Sequence, residues 1–141
     1  MSARSLLLGA ALLGLLGCGQ KKVAECNALT GVINSGVIAL EKAPRTDSAP
    51  AGVADLRSTA DLLDKTATEA AALQLTVTEL KKSRDEYLKM MKEIARLERE
   101  VAAAAEAKDR ARTQKAQGSL EGAVKGEDPL VDQINKFCQG P

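Results

Sequence analysis

An all-α fold, organised as a four-helix bundle, is predicted by three observations. Ala, Leu, Glu and Lys dominate the 141 residues, and these are strong helix formers. Aromatic residues make up 1% of the chain, one Tyr and one Phe with no Trp, whereas a sandwich or barrel draws on aromatic and β-branched side chains. Apolar residues recur at steps of three and four, the period of a helix face.

The first helix is expected over about 22–42. Cys26, Leu29, Ile33, Val37 and Leu40 share one face, and Gly36 beside them allows a neighbouring helix to approach closely. The stretch 43–52, with Pro44 and Pro50 among small polar residues, reads as a loop. From Val53 to Gln117 there is neither Gly nor Pro. One uninterrupted helix there would be about 97 Å long, too long for a small monomer, so weaker signals must break it. Thr76 and Glu79 form a capping box flanked by the staple pair Leu75 and Leu80. Ser83 and Glu86 make a second, poorly stapled box. The second helix is therefore expected over 53–74, with Val53, Leu56, Ala60, Leu63, Ala67, Ala70 and Leu73 inward. The third starts at 77. Its Tyr87, Met90, Ile94, Leu97, Val101 and Ala104 follow the coiled-coil-like seam of near-parallel or antiparallel packing. Lys81–Asp85, Lys82–Glu86, Lys89–Glu93 and Arg96–Glu100 are (i, i+4) pairs on a solvated face.

The N-terminus has a different character. Arg4 precedes a twelve-residue apolar run, Leu6 to Gly17. A membrane-spanning helix needs about 20 residues, so the run fits an export signal, with an uncleaved anchor as the competing reading. Leu15-Leu16-Gly17-Cys18 resembles the lipobox of bacterial lipoproteins. The resemblance implies cleavage before Cys18, with a diacylglycerol and an N-acyl lipid (palmitate among the acyl chains) as the only covalent cofactor. Gly19 after the cysteine, in place of Asp, implies sorting to the outer membrane. On this reading 1–17 is a signal peptide, 18–22 a lipidated tether and 23–138 one helical-bundle domain. Lys21 and Lys22 either attract an anionic leaflet or are ordinary solvated linker residues.

Removal of 1–17 leaves 124 residues with 19 basic and 19 acidic side chains. Neutrality excludes the basic excess of a nucleic-acid binder. With Cys18 given to lipid, Cys26 and Cys138 remain. In an exported chain their expected state is a disulfide, with two buried free thiols as the alternative. No metal is expected, because the chain has no His and two cysteines do not complete a zinc shell.

The disulfide constrains the last arm. A third helix running on to Gln117 would leave the C-terminus too far from Cys26. A turn at Ala107–Asp109, with Asp109 as N-cap, repairs this. The third helix is then 77–106, about 45 Å long, and the fourth 109–138, interrupted near 126–129 where Pro129 suits a restarted first turn. Ala116, Leu120, Ala123, Val124, Leu130, Ile134, Phe137 and Cys138 line it. The whole is an antiparallel up-down-up-down bundle.

Catalytic signals are absent. There is no His, no nucleophile elbow, no P-loop and no dinucleotide fingerprint. Asp61/Asp64 and Glu127/Asp128 read as surface or cap carboxylates, and Tyr87 as a core residue with its hydroxyl at an edge. The expectation is a non-enzymatic envelope lipoprotein. Its partners are the membrane, through the lipid, and an envelope protein, with no nucleic acid and no metal. The alternative is a carrier or chaperone that shelters a small apolar ligand between alanine-rich helices.

Overall fold

A computed structural model describes residues 17–44 and 52–140. The apolar run before Gly17 and most of the loop between the first two helices lie outside the described residues. All regular structure among them is helical: α1 Gly17–Glu41, α2 Val53–Ala71, α3 Thr78–Glu106, α4 Arg110–Val124 and α5 Glu127–Gln139. α4 and α5 are the two parts of the expected interrupted arm, parted at Lys125 and Gly126. Pro129 falls in the first turn of α5, where its missing N–H leaves no bond unmade.

Helix α1 begins earlier than the expected residue 22. Positions 18–22, expected as a tether, are its first turns. The inward stripe is Cys26, Leu29, Ile33 and Gly36, and Val37 is 39% exposed. The stripe passes through Gly36 because Thr66 of α2 lies against it. A Cβ added at Gly36 would stand 2.6 Å from the Thr66 Cγ2. Nothing lies within 4 Å of a Cβ added at Gly31 on the same helix. Both alanine substitutions gain the same intrinsic propensity. Gly36→Ala should therefore be less stable than Gly31→Ala by about 1–3 kcal/mol, the typical cost of overpacking. Urea melts check this, and equal midpoints would contradict the close approach.

Helix α2 stops at Ala71, short of the expected 74. Residues 73–76 are not helical. Arg84 Nη1 donates to the Leu73 carbonyl at 3.1 Å, and Leu75 is buried. Early α2 meets late α3: Arg57 pairs with Glu106 at 2.6 Å, and Arg99 with Asp61 and Asp64 at 2.8 and 2.7 Å. Ala95 and Ala102, one turn either side of Arg99, are fully buried, as are Ala60 and Ala70. Small side chains let the two backbones pack close. Of the four expected charge pairs, Lys82–Glu86 and Arg96–Glu100 form, at 3.9 and 2.9 Å. Asp85 and Glu93 instead pair with Arg84 and Arg96; the planar Arg96 fork donates to both Glu93 oxygens, and Arg84 donates twice to Asp85 Oδ1.

The turn at 107–109 has the expected place and cap. Lys108 adopts φ 54°. Its N–H donates to the Ala105 carbonyl and that of Asp109 to Ala104, each at 3.0 Å, which is a Schellman ending. Asp109 then caps α4 by accepting from the Arg112 N–H at 3.0 Å. α4 packs on α3, where Leu97, Val101, Ala104 and Ala116 are buried. Val124, expected inward, is 44% exposed at the last residue of α4. The main core joins α1, α2, α3 and α5 around Leu29, Leu63, Leu80, Tyr87, Met91, Ile94 and Ile134. Each such large side chain contributes roughly 1.5–3 kcal/mol by leaving water.

Candidate functional site

The second turn of α1 holds three separate parts of the chain. Lys22, Glu25 and Cys26 are at steps of three and four, so they share one side of the helix. The Lys22 ammonium donates to the Gly140 carbonyl at 3.0 Å and lies 4.6 Å from the centre of the Phe137 ring. A cation is favoured at a helix C-terminus, and over an aromatic face it gains a further ~0.5–1 kcal/mol. Lys22 is thus tied to the end of α5 in this structure. The Cys26 and Cys138 sulfurs stand at disulfide distance, with Cα atoms 5.6 Å apart and 112 positions between them in sequence.

Glu25 is the residue that sequence reasoning missed. The residue is 8% exposed. It accepts from the Thr76 N–H at 2.8 Å, the Thr76 hydroxyl at 2.5 Å and the Val77 N–H at 2.9 Å. Thr76 was expected to cap α3. The observed N-cap is Val77, with no side-chain cap of its own. The Thr76 hydroxyl instead donates to the Glu25 carboxylate from α1, and charge-assisted bonds are about twice as strong as neutral ones. The carboxylate also lies near the positive end of the α3 dipole. These contacts, the Thr76 hydroxyl first, hold the Glu25 carboxyl below the usual glutamate range. The one available signal was a lone Glu on an otherwise uncharged stretch, 23–40.

Cys18 lies in the first turn of α1. Asp61 and Asp64 are together, on Arg99. Glu127 and Asp128 sit in the first turn of α5. Burial, and then the neighbouring Asp128, raises the Glu127 carboxyl. Tyr87 is fully buried, not at an edge. Its phenol is pushed up by burial first and by Glu127 second. Among the described residues the Tyr87 hydroxyl and Glu98 Oε2 are buried with no hydrogen-bond partner. A buried hydroxyl without a partner costs about 1–3 kcal/mol. Tyr87→Phe should therefore raise the unfolding free energy by about 1 kcal/mol, read in urea melts. A loss of that size would mean that the hydroxyl is satisfied.

Three grooves lie near these elements. One of about 320 Å³ runs between α1 and α5 beside the cysteine pair, lined by Asn27, Thr30, Asn34, Asn135 and Gln139. A second, about 290 Å³, lies between Met90 and Ala123 among Glu86, Lys89 and Glu93. A third, about 170 Å³, adjoins Gly36 and Thr66. Comparison with known proteins found no matching family model, no matching characterised protein and no matching solved structure.

Proposed function

We propose that this chain is a lipid-anchored envelope protein, held at the outer membrane, that acts by engaging a protein partner without catalysis. Its arms follow an antiparallel up-down-up-down order. The placement of Cys18 on the same continuous helix as Lys22, Glu25 and Cys26 carries the reading. Cys18 precedes Cys26 by two helical turns, about 12 Å of rise. A lipid on Cys18 would enter α1 with no flexible linker in between. Pull on the anchor would then pass through helix backbone into the turn that ties α3 and α5.

That arrangement suits a bundle seated against a membrane. The order of arms is supported by early α2 meeting late α3 and by early α1 meeting late α5. By length and composition Gly19–Glu41 is also apolar enough to cross a bilayer. Burial of Glu25, Cys26, Leu29 and Ile33 instead supports a bundle helix whose lipid does the anchoring.

Labelling with a lipid precursor tests the anchor. The label should enter the natural chain and be lost in Cys18→Ser, which should also leave the membrane fraction. Unchanged labelling of that variant would overturn the anchor. Crosslinked pull-down from intact envelopes tests the second half of the reading. Recovery of one specific protein is expected. Recovery of none, with the envelope of a deletion strain unaltered, would contradict it.

A further inference from the structure

We propose that the groove between α1 and α5 binds an extended, uncharged polypeptide segment through its backbone amides. The proposal rests on the protein-binding reading above and names the chemistry of the partner, but does not depend on the lipid. Its volume, about 320 Å³, is at the lower end of the range of ligand sites.

The lining is uncharged throughout, in a chain of which 28% is charged. Between Val23 and Leu40 the only charged residue of α1 is Glu25, and it is turned into the contact with Thr76 and Val77. Four carboxamides, Asn27, Asn34, Asn135 and Gln139, face the groove. Among the described residues none of these side chains hydrogen-bonds to another protein group, whereas the Thr30 hydroxyl is already donated to the Cys26 carbonyl at 2.9 Å. Each carboxamide offers two donors and an acceptor, the complement of a peptide unit.

Spacing fits the same ligand. Asn27 and Asn34 are two helical turns apart, about 10.5 Å, which is about three residues of extended chain. Asn135 and Gln139, one turn apart on α5, form the opposite wall. A strand between the walls would present peptide groups to each. Val23, 55% exposed at the groove, offers contact to an apolar side chain. The Cys26–Cys138 pair is the floor and fixes the distance between the walls, so little ordering is left for the ligand to induce. Sugars are another class of neutral hydrogen-bonding ligand. Their rings stack on aromatic faces, and the groove lining has none.

The test uses the full chain in detergent, isotope-labelled so that side-chain amide signals are resolved. The probe is acetyl-trialanine amide, with maltotriose as the sugar arm. Saturable shifts of the Asn27, Asn34, Asn135 and Gln139 side-chain amides are expected with the peptide at about millimolar concentration. The double variant Asn34→Leu/Asn135→Leu changes partly or fully exposed positions. It should keep the helical circular dichroism and bind the peptide at least about tenfold more weakly. Gln117→Leu, on α4, should bind as the natural chain does. Shifts that never saturate, saturation by maltotriose alone, or full binding by the double variant would each overturn the proposal. If envelope pull-down recovers a partner and the double variant recovers it equally, the groove assignment fails while the protein-binding reading stands.

Discussion

Cys138→Ser is expected to lower the unfolding free energy by up to about 4.7 kcal/mol, the chain-entropy value for a loop of roughly 100 residues. The native loop spans 112 positions. The loss is a large share of the ~5–15 kcal/mol that holds a typical domain. It should fall unevenly. α5 has one fully buried residue, Ile134, with Leu130, Val131 and Phe137 only half-buried against the core, so it leans heavily on the cysteine pair and on the contact of Lys22 with Gly140 and Phe137. Amide exchange should therefore rise first across α5, while the α2–α3 contact keeps its protection. Denaturant melts with and without reductant, together with exchange by mass spectrometry, check both parts. An unchanged midpoint, or uniform loss of protection, would contradict this account.

Replacing Glu25 should have the next largest effect, and it depends on pH. The carboxyl sits below its ordinary value in the fold, chiefly through the Thr76 hydroxyl and the Val77 N–H. A depressed carboxyl contributes stability that is fully present above the unfolded value near 4.5. That contribution disappears as pH falls through the lower folded value. Glu25→Gln keeps the shape and removes the charge. It should melt several degrees below the natural chain at pH 7, with the gap closing as pH drops below about 4.5. Glu98 and Glu127 act in the opposite sense, since burial raises their carboxyls and favours the fold as they protonate. They are the same in both chains, so the difference between the two melting curves isolates Glu25. A gap that stays constant from pH 7 to pH 3 would show that the charge is not what holds the start of α3.

Much of the fold was legible because it is set by neighbours in sequence. The seam from Tyr87 to Ala104 is read from period alone, and its residues are buried or half-buried. The Asp109 cap is local, since donor and acceptor are three residues apart. The errors share one cause. Thr76 and Glu79 satisfied the capping pattern, but the carboxylate that serves the start of α3 comes from 51 positions away. Val37 fitted the stripe as well as Gly36 does, and Thr66 on another helix decided between them. Tyr87 was expected at an edge, because a phenol normally reaches a partner.

The candidate sites divide in the same way. The pair Cys26 and Cys138 was readable as residue types in a pattern. The neutral groove was not, because its carboxamides come from two helices more than a hundred residues apart. No periodicity brings Asn34 beside Asn135.

By itself the sequence determined the helical class, the turn at Ala107–Asp109, an interruption of the last arm near 126–129, and the stripes from which a core could be made. These follow from propensity, capping and period, which act over a few residues. Only the tertiary structure decided that Glu25 holds the Thr76 and Val77 N–H groups just ahead of α3, that Lys22 ends α5 and that four amides face one groove. Those are contacts between distant segments. Their choice depends on which groups the packed helices desolvate and bring within hydrogen-bond range, a quantity that no local window contains.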